Sequence, residues 1–184
     1  MKLLSFIALL LLPALGAAQD MPLFTITKSG ESWKPATGER PKTPSPREAI
    51  SPDGSVKFSG VKLDSFVHAF NIAGESAVLP SGGPYAPLRI EQAYDNDKKA
   101  QAKRKTDPPK LAVTSLLVDS AGRIYAGTKI GIQIFDPTGR LCGVLALPAT
   151  GDPEHLGFEG SAKDQLVVWI GDKKFTRTMQ ATGK

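Results

Sequence analysis

Apolar and polar positions alternate over short runs, and turn-forming residues separate the runs. Ala49 to Phe58 reads as strand, turn, strand, with Asp53-Gly54 as a hairpin signal, because Gly accepts the positive φ of a tight turn. Ser65 to Ile72 predicts a third strand, with Phe66, His68 and Phe70 on one side. Ala77 to Leu79 and Tyr85 to Ile90 supply an outer strand. The pattern returns at Ser115–Thr128, with strands at Gly131–Phe135 and Leu141–Leu147 and a turn at Asp136–Arg140. A third copy starts at His155, continues through Gln165–Ile170 and ends with Lys174–Met179. Units of about four strands at a spacing of about 40 to 50 residues follow propeller arithmetic. The expectation is an all-β chain, a partial β-propeller of about two to three four-stranded antiparallel blades.

The N-terminal region lacks this period. Leu23 to Thr27 alternates and predicts one short strand. Pro35, Pro41, Pro44 and Pro46 exclude a helix or a central strand, so 34–47 reads as an extended linker. Before it, Lys2, the apolar run Leu3–Leu12, Pro13 and the small residues Gly16-Ala-Ala18 follow the grammar of a secretory signal peptide. The run is short for a membrane span, which needs roughly 20 apolar residues. The chain is therefore divided into a signal peptide at 1–18, an extended Pro-rich segment at 19–47 and a propeller region at 48–184. Export to the periplasm or the exterior is expected, with no membrane span after signal removal.

Charge and cysteine usage change the picture little. The chain is mildly basic, at +5. Lys98, Lys99, Lys103, Arg104 and Lys105 fall within 95–109, which reads as a solvated basic loop inserted between blades. No interleaved aromatic offers a base a stacking surface, so nucleic acid is not an expected partner. Cys142 is the sole cysteine; it sits in an apolar run and reads as a small buried hydrophobe. No nucleophile elbow, zincin motif, phosphate loop or paired-cysteine motif is present.

Val118-Asp119-Ser-Ala-Gly-Arg-Ile-Tyr125, Gly131-Ile-Gln-Ile-Phe-Asp-Pro-Thr-Gly-Arg140, His155-Leu-Gly-Phe-Glu-Gly160 and Lys174-Phe-Thr-Arg177 resemble the last blades of the SMP-30/gluconolactonase/LRE-like family. Ser51-Pro-Asp-Gly54 and Gly83-Pro-Tyr85 resemble the blade before them, so the resemblance spans about 48–184. It implies a six-bladed propeller origin and a divalent cation, calcium or zinc, in the central channel. It also implies hydrolysis of lactones or related esters. The family holds its metal with a Glu, Asn side chains and an Asp. The Asp position falls on Thr114, the Asn neighbourhood is Ser45-Pro-Arg-Glu48, and Glu48 is the nearest carboxylate. A Thr hydroxyl carries no charge and is a poor base.

Two functional readings stay open on these residues. One is a non-catalytic binding or assembly module with a degraded metal site. The other is a gluconolactonase-like hydrolase with a rebuilt site. By repeat alignment the inner strands start at Arg47/Glu48, Val113/Thr114 and His155, so Glu48, Thr114 and His155 are the candidate catalytic or metal-holding residues. His155 also reads as a hydrogen-bonded structural histidine, and His68 as a strand-face residue. Two three-blade chains would complete six blades, so a homodimer closing the ring, or a protein partner, is expected to cover the exposed sheets.

Overall fold

In a computed structural model, residues 22–42, 46–74, 80–90 and 110–184 are described. The segments read as a signal peptide at 1–18, as a basic loop at 95–109 and as strand at 77–79 lie outside the described residues. The strands run β1 (Lys34–Ala36), β2 (Glu48–Ile50), β3 (Val56–Ser59), β4 (Phe66–Asn71) and β5 (Gly83–Pro87). They continue with β6 (Ser115–Val118), β7 (Ile124–Thr128), β8 (Gly131–Phe135) and β9 (Leu141–Leu145), then β10 (His155–Glu159), β11 (Gln165–Ile170) and β12 (Lys173–Thr178). They form three four-stranded antiparallel sheets, ordered β2-β3-β4-β5, β6-β7-β8-β9 and β1-β12-β11-β10. The innermost strand of the second sheet, β6, contacts both β2 and β10, so the sheets stand side by side as consecutive blades.

The N-terminal segment departs from the expected linker. Prolines do exclude a central strand, but an edge strand tolerates one. β1 is such an edge: Pro35 lies opposite Phe175, and Lys34 and Ala36 lie opposite Thr176 and Lys174. The strand expected over Leu23–Thr27 is instead a 3-10 turn at Leu23–Thr25. Its cause is local. The Pro22 carbonyl accepts both the amide and the hydroxyl of Thr25, and Thr27 Oγ1 donates back to Leu23 O. Only Thr27 pairs, in an isolated bridge with Met179.

Turn chemistry repeats in the second sheet. Asp119 Oδ1 accepts the amides of Ala121 and Arg123, and its Oδ2 accepts Arg123 Nε at 2.5 Å and the Tyr125 hydroxyl at 3.0 Å. Asp136 does the same for Thr138 and Arg140 one hairpin later. Both turns read Asp-x-x-Gly-Arg, and both glycines need positive φ, 82° at Gly122 and 84° at Gly139. In the first sheet Asp53 takes the Ser51 hydroxyl, the Ser55 amide and the Ser55 hydroxyl, and these bonds hold its carboxyl down at about 2.

Two apolar layers join the sheets. Phe58, Val67 and Ala86 of the first sheet meet Leu116, Ile124 and Phe135 of the second. Tyr125, Ile132 and Ile134 of the second meet Leu166, Val168 and Phe175 of the third. Tyr125 and Phe158 pack edge to face with centroids 5.6 Å apart. Buried Gln133 adds a polar stitch. Its Oε1 accepts the Arg89 amide at 2.7 Å, and its Nε2 donates to the Arg89 carbonyl at 3.0 Å, as a strand partner would. This pairing satisfies both polar atoms of a side-chain amide that is fully buried.

The two end sheets differ on their outward faces. On the third, Val167 and Trp169 alternate with the core-facing residues, yet they are only 1% and 4% exposed. Lys174, opposite Trp169 in register, reaches diagonally across β11 to Glu159 Oε2 at 2.7 Å. The chain leaving β1 folds back here as well. A Cβ on Gly38 would lie 3.3 Å from Lys174 Cδ, and Arg40 ion-pairs with Glu154 and Asp172.

Candidate functional site

The three inner strands begin where the repeat alignment places them: β2 at Glu48, β6 one residue after Thr114, and β10 at His155. Thr114 and His155 face one cavity of about 570 Å3, together with Arg40, Pro41, Lys42, Asp152 and Glu154. Glu48 faces a different cavity of about 510 Å3, whose wall also includes His155, Ile50, Leu117, Phe158 and Lys184. His155 thus borders both spaces, whereas Glu48 and Thr114 line separate ones.

Each candidate has its own bonding. Thr114 Oγ1 contacts the carbonyls of Gly127 at 3.2 Å and Pro153 at 2.9 Å. Neighbouring Ser115 donates to the same Pro153 carbonyl at 2.6 Å. These hydroxyls therefore tie the start of β6 to the loop before β10. Glu48 is exposed and lies 3.4 Å from Lys57 Nζ. Among the described residues, His155 Nδ1 is buried without a hydrogen-bond partner. Burial lowers the imidazole pKa below its ordinary 6.5, while the Glu159 carboxylate pulls the other way. A neutral ring in a confined space can accept or donate one hydrogen bond.

A depressed folded-state pKa means that the unfolded chain binds the proton more readily. The contribution of His155 to stability is therefore present above the ordinary histidine range and is lost as pH falls through the folded value. An NMR titration of the imidazole should give a midpoint below 6.5. A midpoint at or above that value would show the ring to be solvated or paired with an acid.

Sequence reasoning missed Arg40, Asp152 and Glu154. The signal for the acids was present in Asp152-Pro-Glu-His155, where two carboxylates flank a proline just before an inner strand. Arg40 had no such signal, because only the return of the chain after β1 brings it to Glu154 and Asp172. His68 is a strand-face residue, 6% exposed and bonded to Asp64 Oδ2 at 2.7 Å. Cys142 is half-buried, and burial pushes its thiol up to about 11, which keeps it protonated near neutral pH.

The divalent cation that the family resemblance implies does not find its ligands among the described residues. The Thr114 hydroxyl is engaged with two backbone carbonyls, and Glu48 lies on the other cavity beside a lysine. No three His, Cys, Asp or Glu side chains converge there to hold a metal. Among the described residues no helix is long and apolar enough to cross a membrane.

Regucalcin from Agrobacterium tumefaciens, a calcium-binding protein, superposes with a TM-score of 0.52 at 13% identity, covering 77% of this chain and 47% of its own. The chain has the fold of regucalcin over part of its length. A gluconolactonase from Xanthomonas campestris gives a TM-score of 0.48 at 18% identity, covering 74% of this chain and 37% of its own. This chain therefore spans less than half the length of either protein. No protein-family model and no curated protein sequence matches it. The SMP-30/gluconolactonase-like strand and turn motifs are thus matched at the level of fold, with three sheets of the regucalcin type.

Proposed function

We infer that the chain is an exported, non-catalytic binding or assembly module built on regucalcin-type blades. The observation that carries this reading is the bonding of Thr114. At the position where the family resemblance calls for a metal-holding carboxylate, a neutral hydroxyl is turned to two backbone carbonyls and serves as a structural tie. With Glu48 facing a separate cavity, the three candidates lack a common point at which a reacting carbonyl and a water could both be held. Export rests on the leader pattern of residues 1–18.

A second reading keeps the inherited chemistry, a metal-dependent lactone or ester hydrolase. It draws on the shared wall of the larger cavity, where His155, Asp152 and Glu154 are available as base, orienter or ligand. Purified chain assayed on a sugar lactone with added calcium or zinc separates the two. The expected result is the uncatalysed background rate and no calorimetric signature of metal binding. A metal-stimulated turnover that a chelator abolishes, and that His155→Ala or Glu154→Gln removes, overturns the module reading in favour of the hydrolase.

A further inference from the structure

The cavity that Glu48 faces has a different chemistry from the one that Thr114 lines. It holds about 510 Å3, and its wall draws on β2, β6, β10 and the chain after β12. Small-molecule sites fall in this size range and are mostly apolar, with a few placed polar groups. The apolar part here includes Ile50, Leu117 and Phe158. None of the three is fully buried, and Ile50 is 49% exposed. The ionisable groups are Glu48, His155 and Lys184. Glu48 has the Lys57 ammonium 3.4 Å away, and the His155 imidazole is held toward its neutral form by burial. Lys184 differs. Its ammonium donates to the Ile50 carbonyl at 2.9 Å and to the Ser51 carbonyl at 2.7 Å, which are both uncharged. Among the described residues it pairs with no carboxylate. The two bonds fix the ammonium against the first sheet and leave its third proton for another acceptor. Lys184 is solvent-exposed, so a ligand can reach it.

We propose that this cavity binds a monocarboxylate with an apolar body, its carboxylate on the Lys184 ammonium and its hydrocarbon against Ile50, Leu117 and Phe158. Charge and surface together select the class. A carboxylate supplies the counter-charge that the two carbonyls do not, and a charge-assisted bond is about twice as strong as a neutral one. A neutral alcohol would bury the same hydrocarbon and forgo that term, and a protonated amine would be repelled. A bare inorganic anion has nothing to lay on the apolar wall. The proposal gives the binding-module reading a ligand class at a cavity that Thr114 does not line, and Lys184 does not line the cavity of Thr114. Failure here therefore leaves the Thr114 argument in place, and lactone turnover would leave this proposal in place.

Isothermal titration of the full chain with decanoate, below its micelle concentration, tests this. The expected result is saturable binding of one decanoate per chain, with decanol and decylamine at least about tenfold weaker. Lys184→Ala should weaken decanoate by at least about tenfold and leave decanol unchanged, and Lys184→Arg should restore decanoate. Ile50→Asp, at an already exposed position, should weaken both. Lys42→Ala, on the wall of the other cavity, should change neither. Circular dichroism confirms that each variant folds; should Lys184→Ala fail to fold, the comparison of decanoate with decanol and decylamine on the unmodified chain still decides. No saturable binding overturns the proposal, as does decanol binding as tightly as decanoate. Loss of decanoate on Lys42→Ala overturns it too, by placing the carboxylate in the other cavity. Equal loss of decanoate and decanol in Lys184→Ala would confine Lys184 to a structural role through its bonds to Ile50 and Ser51, and would overturn the charge assignment.

Discussion

Asp119→Ala is expected to destabilise the chain by about 3–5 kcal/mol, the range for removing one partner of a buried ion pair. Asp119 is fully buried, and its two oxygens serve two backbone amides, Arg123 Nε and the Tyr125 hydroxyl. Alanine withdraws all four bonds together. The Arg123 side chain is only 11% exposed, so it would lose this carboxylate in a place where water reaches it poorly. Tyr125 is fully buried, and its phenol pKa is already driven well above the ordinary value by burial and then by the Asp119 charge. Domains of this size hold a total of about 5–15 kcal/mol, so the variant should unfold at a much lower denaturant midpoint. The matching turn supplies an internal control. Asp136→Ala removes a similar set of bonds, but the Arg140 side chain is 46% exposed and recovers water. Urea titration should therefore show the smaller loss at Asp136. Equal losses would mean that the turn geometry, and not the buried charge, sets the cost.

That contrast also shows what was legible in the sequence. The Asp-x-x-Gly-Arg turns were visible because each requirement is local: a carboxylate reaching amides two and four residues on, and a glycine at positive φ. The strand alternation was equally local, and it places β2 to β4 and β6 to β12 close to their expected positions. The pairing of Gln133 with Arg89 was not legible, because its cause lies 44 residues away, beyond the end of β5. The same holds for β1. Nothing in Lys34-Pro-Ala36 favours a strand, and the open edge of β12 supplies the hydrogen-bonding partner.

The candidate site was legible in position and not in composition. Repeat alignment located the starts of the three inner strands, which is a question of period. It did not reveal that Thr114 and Glu48 line separate cavities, since that depends on how the sheets are splayed and on where the chain returns after β1. Arg40, on that return, belongs to the larger cavity although it lies 114 residues from its partner Glu154. A turn or strand is dictated by neighbours in sequence. A cavity wall is dictated by segments that share no sequence relation, and a single chain carries little record of that.

The covered face of the third sheet makes the last prediction. Trp169→Ala should cost about 3–5 kcal/mol, the usual loss for truncating a buried aromatic to alanine. Trp169 lies between His155 and Lys174 in register, it is 4% exposed, and its carbonyl accepts the Glu154 amide. It does not belong to the apolar layer shared with the second sheet, so its burial comes from the outward side. There the ordered chain from Gly38 to Arg40 is held by Lys174 packing and by the ion pairs of Arg40, which are exposed and individually weak. The indole should therefore supply most of the anchorage of that segment, and the ion pairs little. Hydrogen exchange separates the contributions. Amides of Gly38 to Arg40 should exchange faster in Trp169→Ala and nearly unchanged in Asp172→Asn. Unchanged exchange in Trp169→Ala would show that the segment does not depend on the indole. Exchange accelerated as much by Asp172→Asn would assign the cover to charge, and a rise in salt should then expose the third sheet without any substitution.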